Sequence, residues 1–115
     1  MRYGAGGDDG LDLHVDDSDV TLSLCLGGRF SGSGLQFEGV RCGLHLDHPA
    51  RPEEISIVEH RPGAGLLHLG KRRHRVLPIT AGSRVGLILW ARRSGSRERF
   101  EAEADAGRCL PECGA

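Results

Sequence analysis

Apolar and small polar residues alternate strictly from Val20 to Leu26. A period of two predicts a strand with Val20, Leu22, Leu24 and Leu26 on one face and Thr21, Ser23 and Cys25 on the other. Shorter stretches of the same kind, bounded by glycine, proline or serine, predict strands at Leu35–Glu38, Glu54–Val58, Leu66–His68 and Arg84–Trp90. No segment of the first ninety residues repeats its apolar positions at helical spacing. Gly27-Gly28 and Ser31-Gly-Ser-Gly34 read as tight hairpin connections, Asp47–Glu54 as a longer polar loop and Leu77–Gly82 as a turn. Beyond Trp90 the alternation dissolves into an arginine- and serine-rich stretch and then an acidic, alanine-rich one. This predicts a solvated tail with a short helix around Glu101 to Asp105. The pattern therefore describes an all-β unit over residues 1–93 and a polar tail over residues 94–115.

Composition narrows this picture. Eighteen glycines and 4% aromatic residues suit short strands and tight turns, and 115 residues allow one domain. A net charge of −1 gives no field that would draw the chain to nucleic acid or an anionic membrane, so neither is expected as a partner. No apolar run approaches the roughly 20 residues of a membrane span, and no apolar core of a signal peptide follows Met1. The chain as written is expected to be soluble and intracellular. Cys25, Cys42, Cys109 and Cys113 are too dispersed for a disulfide framework and are read as reduced thiols. Cys109 and Cys113 could supply two zinc ligands, but no second pair with finger-like spacing accompanies them.

Chemistry concentrates at Leu11-Asp-Leu-His-Val-Asp16. Residues two apart on a strand point to one side, so His14 and Asp16 would present an imidazole and a carboxylate to the same space. A ferrous oxygenase site needs a third, facially placed ligand with the remaining positions open. His74 suits that role because Arg84, ten residues on, opens an apolar strand where a guanidinium fork could clamp a carboxylate. Two antiparallel strands joined by the Leu77–Gly82 turn would set His74 and Arg84 side by side. His45-Leu-Asp47 has the same form but lies beside a proline-rich loop and is read as a surface pair. His68 is read as a packing or hydrogen-bonding residue, Lys71–Arg75 as a solvated basic run, and Phe37 and Trp90 as core.

With these residues in view, the chain resembles the Fe(II)- and 2-oxoglutarate-dependent oxygenases, in the branch of prolyl 4-hydroxylase and lysyl hydroxylase domains. It looks most like the 2-oxoglutarate and iron-dependent oxygenase domain-containing proteins. The resemblance runs from Tyr3 to Trp90 through His14-Val-Asp-Asp-Ser-Asp-Val-Thr-Leu22, Phe30-Ser-Gly-Ser-Gly-Leu35, Phe37-Glu-Gly39, Leu66-Leu-His-Leu-Gly70 and His74–Arg84. It implies a double-stranded β-helix, the jelly-roll or cupin-like fold, with an irregular carboxyl-terminal tail. Because the family's domain ordinarily has helices and a further strand before the position of Tyr3, the expected domain is incomplete at its amino end.

The resemblance further implies that His14, Asp16 and His74 bind Fe(II), that Arg84 binds the distal carboxylate of 2-oxoglutarate, and that Tyr3, Thr21 and Ser23 line the co-substrate pocket. Ser23 stands where the family often has asparagine. Ascorbate is implied as a reductant, and the reaction as hydroxylation of an unidentified substrate, a prolyl or lysyl side chain or a small molecule, with release of succinate and CO2. Two other readings stay open: a non-catalytic β-barrel that binds a metal or a small acid, and a zinc-stabilised interaction module built on Cys109 and Cys113.

Overall fold

The computed structural model describes residues 2–4, 10–93, 109, 113 and 114; the helix expected around Glu101 to Asp105 lies outside them. Among the described residues, nine strands and one 3-10 turn follow in chain order: β1 (Arg2–Gly4), β2 (Leu11–His14), β3 (Val20–Gly27), β4 (Phe30–Gly32), β5 (Leu35–Val40), the turn Pro52–Glu54, β6 (Ile55–Val58), β7 (Gly65–Leu69), β8 (Arg72–Val76) and β9 (Ile79–Ala91). All strand pairs are antiparallel. One sheet has the order β1-β9-β3-β7, with β4 also on β9, and the other has the order β2-β8-β5-β6. Two facing antiparallel sheets built this way form the expected all-β jelly roll.

Register decides which side chains meet between the sheets. Tyr3 pairs with Arg84, Thr21 with both His68 and Trp90, and Ser23 with both Leu66 and Ile88. Paired residues share a face, so the polar side of β3 points inward with Arg84. The leucine side, with Leu26, Leu67, Leu87 and Leu89, lies on the outer surface, where each of these four is exposed. From the opposite sheet Leu35, Phe37 and Val76 meet Tyr3 and the partly buried Leu66 in a small core. Burying side chains of this size contributes roughly 1.5–3 kcal/mol each, which makes this cluster the main apolar tie between the layers.

Three connections differ from the sequence expectation. Gly27-Gly28 does not close a hairpin: Gly27 pairs with Val85 and Phe30 with Gly82, so β3 and β4 run on along the same partner strand through an irregularity. Gly28 adopts a φ of 113°, and a Cβ there would strike the Ser83 carbonyl, so glycine is required by the close backbone approach. The Ser31–Gly34 segment likewise makes no hairpin but carries the chain from one sheet to the other. The turn expected over Leu77–Gly82 shrinks to Leu77 and Pro78, because β9 already begins at Ile79. Since β8 and β9 belong to different sheets, His74 and Arg84 are not neighbours on paired strands but lie on opposing layers.

Two expectations about individual side chains are also corrected. Trp90 is 60% exposed rather than core, because it stands near the end of β9 at the rim of the intersheet space. The Lys71–Arg75 run is not a solvated patch: Arg73 is buried and donates to the carbonyls of Glu38, Leu46 and His48, while Arg75 pairs with Glu38 at 2.7 Å. A strand that alternates between the two faces of a sheet sends these arginines away from the face that carries His74.

Candidate active site

A cavity of about 290 Å³ opens between the sheets, with His14, Asp16 and His74 at one part of its wall and Tyr3, His60 and Arg84 at another. Thr21, Ser23, Leu35 and Val76 complete much of the lining. Every site residue named from the sequence thus borders one space.

The histidines come from paired strands, His14 on β2 opposite His74 on β8. Asp16 is not on the strand with His14, as alternation suggested; β2 ends at His14, and Asp16 is set by its own N–H, which donates to the Gly70 carbonyl at 2.9 Å. The result is nevertheless convergent: Asp16 Oδ1 lies 3.4 Å from His14 Nε2 and 3.4 Å from His74 Nε2. Each imidazole is oriented from behind, His14 Nδ1 lying 2.7 Å from the Asp12 carbonyl and His74 Nδ1 2.7 Å from the Arg72 carbonyl. Both Nδ1 atoms must therefore donate, which leaves the Nε2 lone pairs facing Asp16. The second oxygen of Asp16 accepts from the Thr21 hydroxyl at 2.8 Å, and Ser18 Oγ lies 2.7 Å from Thr21 Oγ1. Two neutral imidazole nitrogens and one carboxylate oxygen, each fixed by an outer hydrogen bond, are the donor set and support a divalent metal requires. The three ligand atoms lie within 4.8 Å of one another, close enough for a single ion to bridge them.

Electrostatics agree with that reading. Burial opposes a charge on Asp16, but the contacts from His14, His74 and Thr21 outweigh it and hold the carboxyl far below the usual carboxylate range. The Asp16 contact raises His14 above its ordinary value. His68 packs against His74, ring centroids 4.7 Å apart, and against Phe37 at 5.1 Å, and its Nδ1 contacts the Leu69 carbonyl. It borders the cavity yet is not among the three convergent ligand atoms, in keeping with a packing role.

Arg84 is 2% exposed, and its guanidinium lies over the Tyr3 ring with Cζ 4.5 Å from the centroid. Its Nε donates to Ser33 Oγ at 2.9 Å. Among the described residues no carboxylate pairs with it, an unusual condition for a buried cation. Burial lowers its pKa, but a guanidinium stays charged throughout the working range. His60, which sequence reasoning did not single out, borders the same end of the cavity, with Nδ1 2.6 Å from the Ser33 carbonyl. Burial and then the Arg84 charge push His60 below its ordinary value, keeping it neutral. Its only sequence signal was a histidine shortly after the β6 stretch, which no spacing rule distinguishes from a surface histidine.

No family model matches the chain. It is 43% identical over 110 residues to the 2-oxoglutarate and iron-dependent oxygenase domain-containing protein ICU11 of Arabidopsis thaliana, a match covering 95% of this chain and 28% of that protein. A second Arabidopsis thaliana protein of that description, CP2, is 40% identical over 98% of this chain and 29% of its own length. The mouse 2-oxoglutarate and iron-dependent oxygenase domain-containing protein 2 is 36% identical over 87% of this chain and 27% of its own length. The chain therefore spans somewhat over a quarter of the relatives it matches. Among solved structures, an oxidoreductase of the 2OG-Fe(II) oxygenase family from Burkholderia pseudomallei superposes with a TM-score of 0.57 at 17% identity, covering 78% of this chain and 38% of that one, a likeness of fold. With that fold, those relatives and a two-histidine, one-carboxylate cluster in the intersheet cavity, the chain belongs to the 2-oxoglutarate and iron-dependent oxygenase superfamily.

Proposed function

We propose that this chain is the metal- and co-substrate-binding part of an Fe(II)- and 2-oxoglutarate-dependent dioxygenase. His14, Asp16 and His74 would hold Fe(II), and Arg84 the distal carboxylate of 2-oxoglutarate. The observation that carries the proposal is the pairing, in one cavity, of a convergent His/Asp/His cluster with a buried guanidinium that no described carboxylate neutralises. A dicarboxylic keto acid satisfies both ends at once, one end meeting a metal and the other a charge-assisted pair. Bound together, iron and 2-oxoglutarate would supply the oxidising chemistry, coupling O2 and loss of CO2 from 2-oxoglutarate, which leaves succinate, to hydroxylation of a substrate C–H bond.

The chain's own residues would prepare the site. Thr21 fixes the Asp16 carboxylate so that Oδ1 faces the histidines; the Asp12 and Arg72 carbonyls fix the two imidazole tautomers. Tyr3 and Ser33 orient Arg84, and the apolar walls from Leu35 and Val76 limit water around it. Ser23 faces the same space and is proposed to contact the co-substrate. Resemblance to the prolyl and lysyl hydroxylase branch extends the proposal to a prolyl or lysyl side chain as substrate, with ascorbate acting from solution to keep the iron reduced.

Arg84→Lys is the direct test. Lysine keeps the charge but not the rigid fork, and losing a charge-assisted hydrogen bond costs about 1.5–3 kcal/mol, roughly 10- to 150-fold in affinity. Titrating 2-oxoglutarate into the manganese-loaded chain is expected to give a dissociation constant raised by that factor, with manganese affinity changed far less. An unchanged 2-oxoglutarate dissociation constant would remove Arg84 from the site.

A further inference from the structure

A second convergent cluster lies away from the cavity. Cys42, His45, Cys109 and Cys113 bring three thiol sulfurs and one imidazole nitrogen within 4.8 Å of one another. His45 Nδ1 is 3.0 Å from Cys42 Sγ, 3.6 Å from Cys109 Sγ and 3.7 Å from Cys113 Sγ, and the Cys42 and Cys109 sulfurs are 3.6 Å apart. Zinc–sulfur bonds of ~2.3 Å and a zinc–nitrogen bond of ~2.0 Å in a tetrahedron set neighbouring donor atoms roughly 3.5–3.8 Å apart. Three of the four separations fall at that edge length, and the fourth is a little short of it.

We propose that these four residues form a closed zinc site, independent of the iron site, that fastens the carboxyl-terminal segment to the loop after β5. Several features point to zinc rather than to a chance meeting of thiols. None of the cysteines is disulfide-bonded. A disulfide would use two of the sulfurs and strand the third with the imidazole, whereas a tetrahedral ion uses all four donors. Three sulfurs with one nitrogen match the soft donor set of structural zinc, and four protein ligands leave no open position for catalysis.

Both halves of the site are held by bonds of the fold itself. In Cys42-Gly-Leu-His45 the His45 N–H donates to the Cys42 carbonyl at 3.0 Å, a tight turn that aims both side chains to one side. The loop is gripped by Arg41, which donates to the Pro49 carbonyl at 2.9 Å and to both Glu54 oxygens. It is also gripped by Arg73, through the Leu46 and His48 carbonyls. On the other side, the Gly114 N–H donates to the Val40 carbonyl at 2.9 Å, seating Cys113 beside the loop. Three thiolates around one zinc leave one net negative charge, and the buried guanidinium of Arg73, which reaches this loop from β8, stands near to offset it, Arg41 being paired with Glu54. Because Arg73 precedes the ligand His74 on β8, the zinc loop abuts the outer face of the strand whose inner face carries the iron ligand.

Half of the site, Cys109 with Cys113, is legible in the sequence, whereas His45 reads there as a surface residue. The partner pair is concealed because it is Cys-x-x-His rather than Cys-x-x-Cys, and because Cys42 lies 67 residues from Cys109 along the chain.

Cobalt titration of the reduced, metal-free chain tests the assignment. Cobalt bound by three thiolates in a tetrahedron is expected to give intense sulfur-to-cobalt absorption in the near ultraviolet together with visible bands, displaced stoichiometrically by one zinc. Cys42→Ser and Cys109→Ser should each lower cobalt and zinc affinity by more than about 100-fold, since loss of even an outer-shell partner costs 10- to 100-fold. Asp16→Ala should leave the thiolate absorption unchanged, so failure of the iron assignment and failure of this one are told apart. Absence of thiolate absorption in the wild-type chain, which needs no variant to fold, would overturn the proposal. So would absorption that survives both cysteine replacements.

Discussion

Asp16→Ala is expected to lower metal affinity by more than about 100-fold, the largest effect of any single replacement in the cavity. Removing an outer-shell partner of a metal ligand already costs 10- to 100-fold, and Asp16 is the one anionic member of the proposed ligand set. Its Oδ1 stands 3.4 Å from both imidazole Nε2 atoms, so its loss also leaves His14 and His74 facing each other with rings 4.3 Å apart and no charge between them. The acid side of binding should change as well. His14 holds its proton above the ordinary histidine value chiefly because of its contact with Asp16. Protonation at His14 therefore stabilises the metal-free fold below about pH 6.5, and that contribution fades as pH rises through the raised pKa. Metal must displace this proton, so affinity is expected to fall as pH drops through that same range. In Asp16→Ala this dependence should move to lower pH. Calorimetry with manganese across pH 5.5 to 8 in the parent, His14→Ala, Asp16→Ala and His74→Ala chains checks both points. Unchanged binding in the three variants, with loss in His45→Ala, would mean that the metal sits at the other cluster.

The second large effect concerns stability rather than chemistry. Arg41 is 1% exposed and forms a two-point pair with Glu54, at 2.7 and 2.8 Å. Removing one partner of a buried pair typically costs 3–5 kcal/mol, because the remaining charge is left desolvated. Glu54→Ala is expected to lose about that much in urea unfolding, a large share of the roughly 5–15 kcal/mol by which domains are stable. The sign with pH follows from the pair. Arg41 first, and then Arg51, hold the Glu54 carboxyl well below its usual range. Its contribution is complete above the unfolded value near 4.3 and is lost as pH falls towards the depressed folded value. The parent should thus weaken below about pH 4 by a component that Glu54→Ala lacks. A loss under about 1 kcal/mol, with an acid profile matching the parent, would show that the pair behaves as a solvated surface contact.

The sequence carried the strands and the His/Asp/His cluster for different reasons. Alternation from Val20 to Leu26 gives a period, and β3 obeys it, but a period does not say which face is inside. Here the inward face is the polar one, because it must hold Thr21 and Ser23 beside a cavity, and the leucines lie on the outer surface. The pairing of His74 with Arg84 was legible as spacing and as resemblance, not as geometry. The two meet across the cavity because the chain changes sheets at Leu77 and Pro78, a crossing that no local pattern announces. His14 and Asp16 converge although Asp16 has left the strand, since its backbone is anchored to Gly70 rather than to a ladder. What could not be read at all depended on long-range approach: the burial of Arg41 and Arg73 by a loop, the place of His60 beside Arg84, and the meeting of Cys42 and His45 with the carboxyl-terminal cysteines.

If one cavity holds both a ferrous ion and 2-oxoglutarate, anaerobic absorption spectroscopy reads both at once. Adding 2-oxoglutarate to the Fe(II)-loaded chain is expected to produce the visible iron-to-keto-acid charge-transfer band, saturating at one equivalent, weakened in Arg84→Lys and absent in Asp16→Ala. Saturation with Fe(II) and excess 2-oxoglutarate without any such band, in a chain that remains folded, would contradict the account.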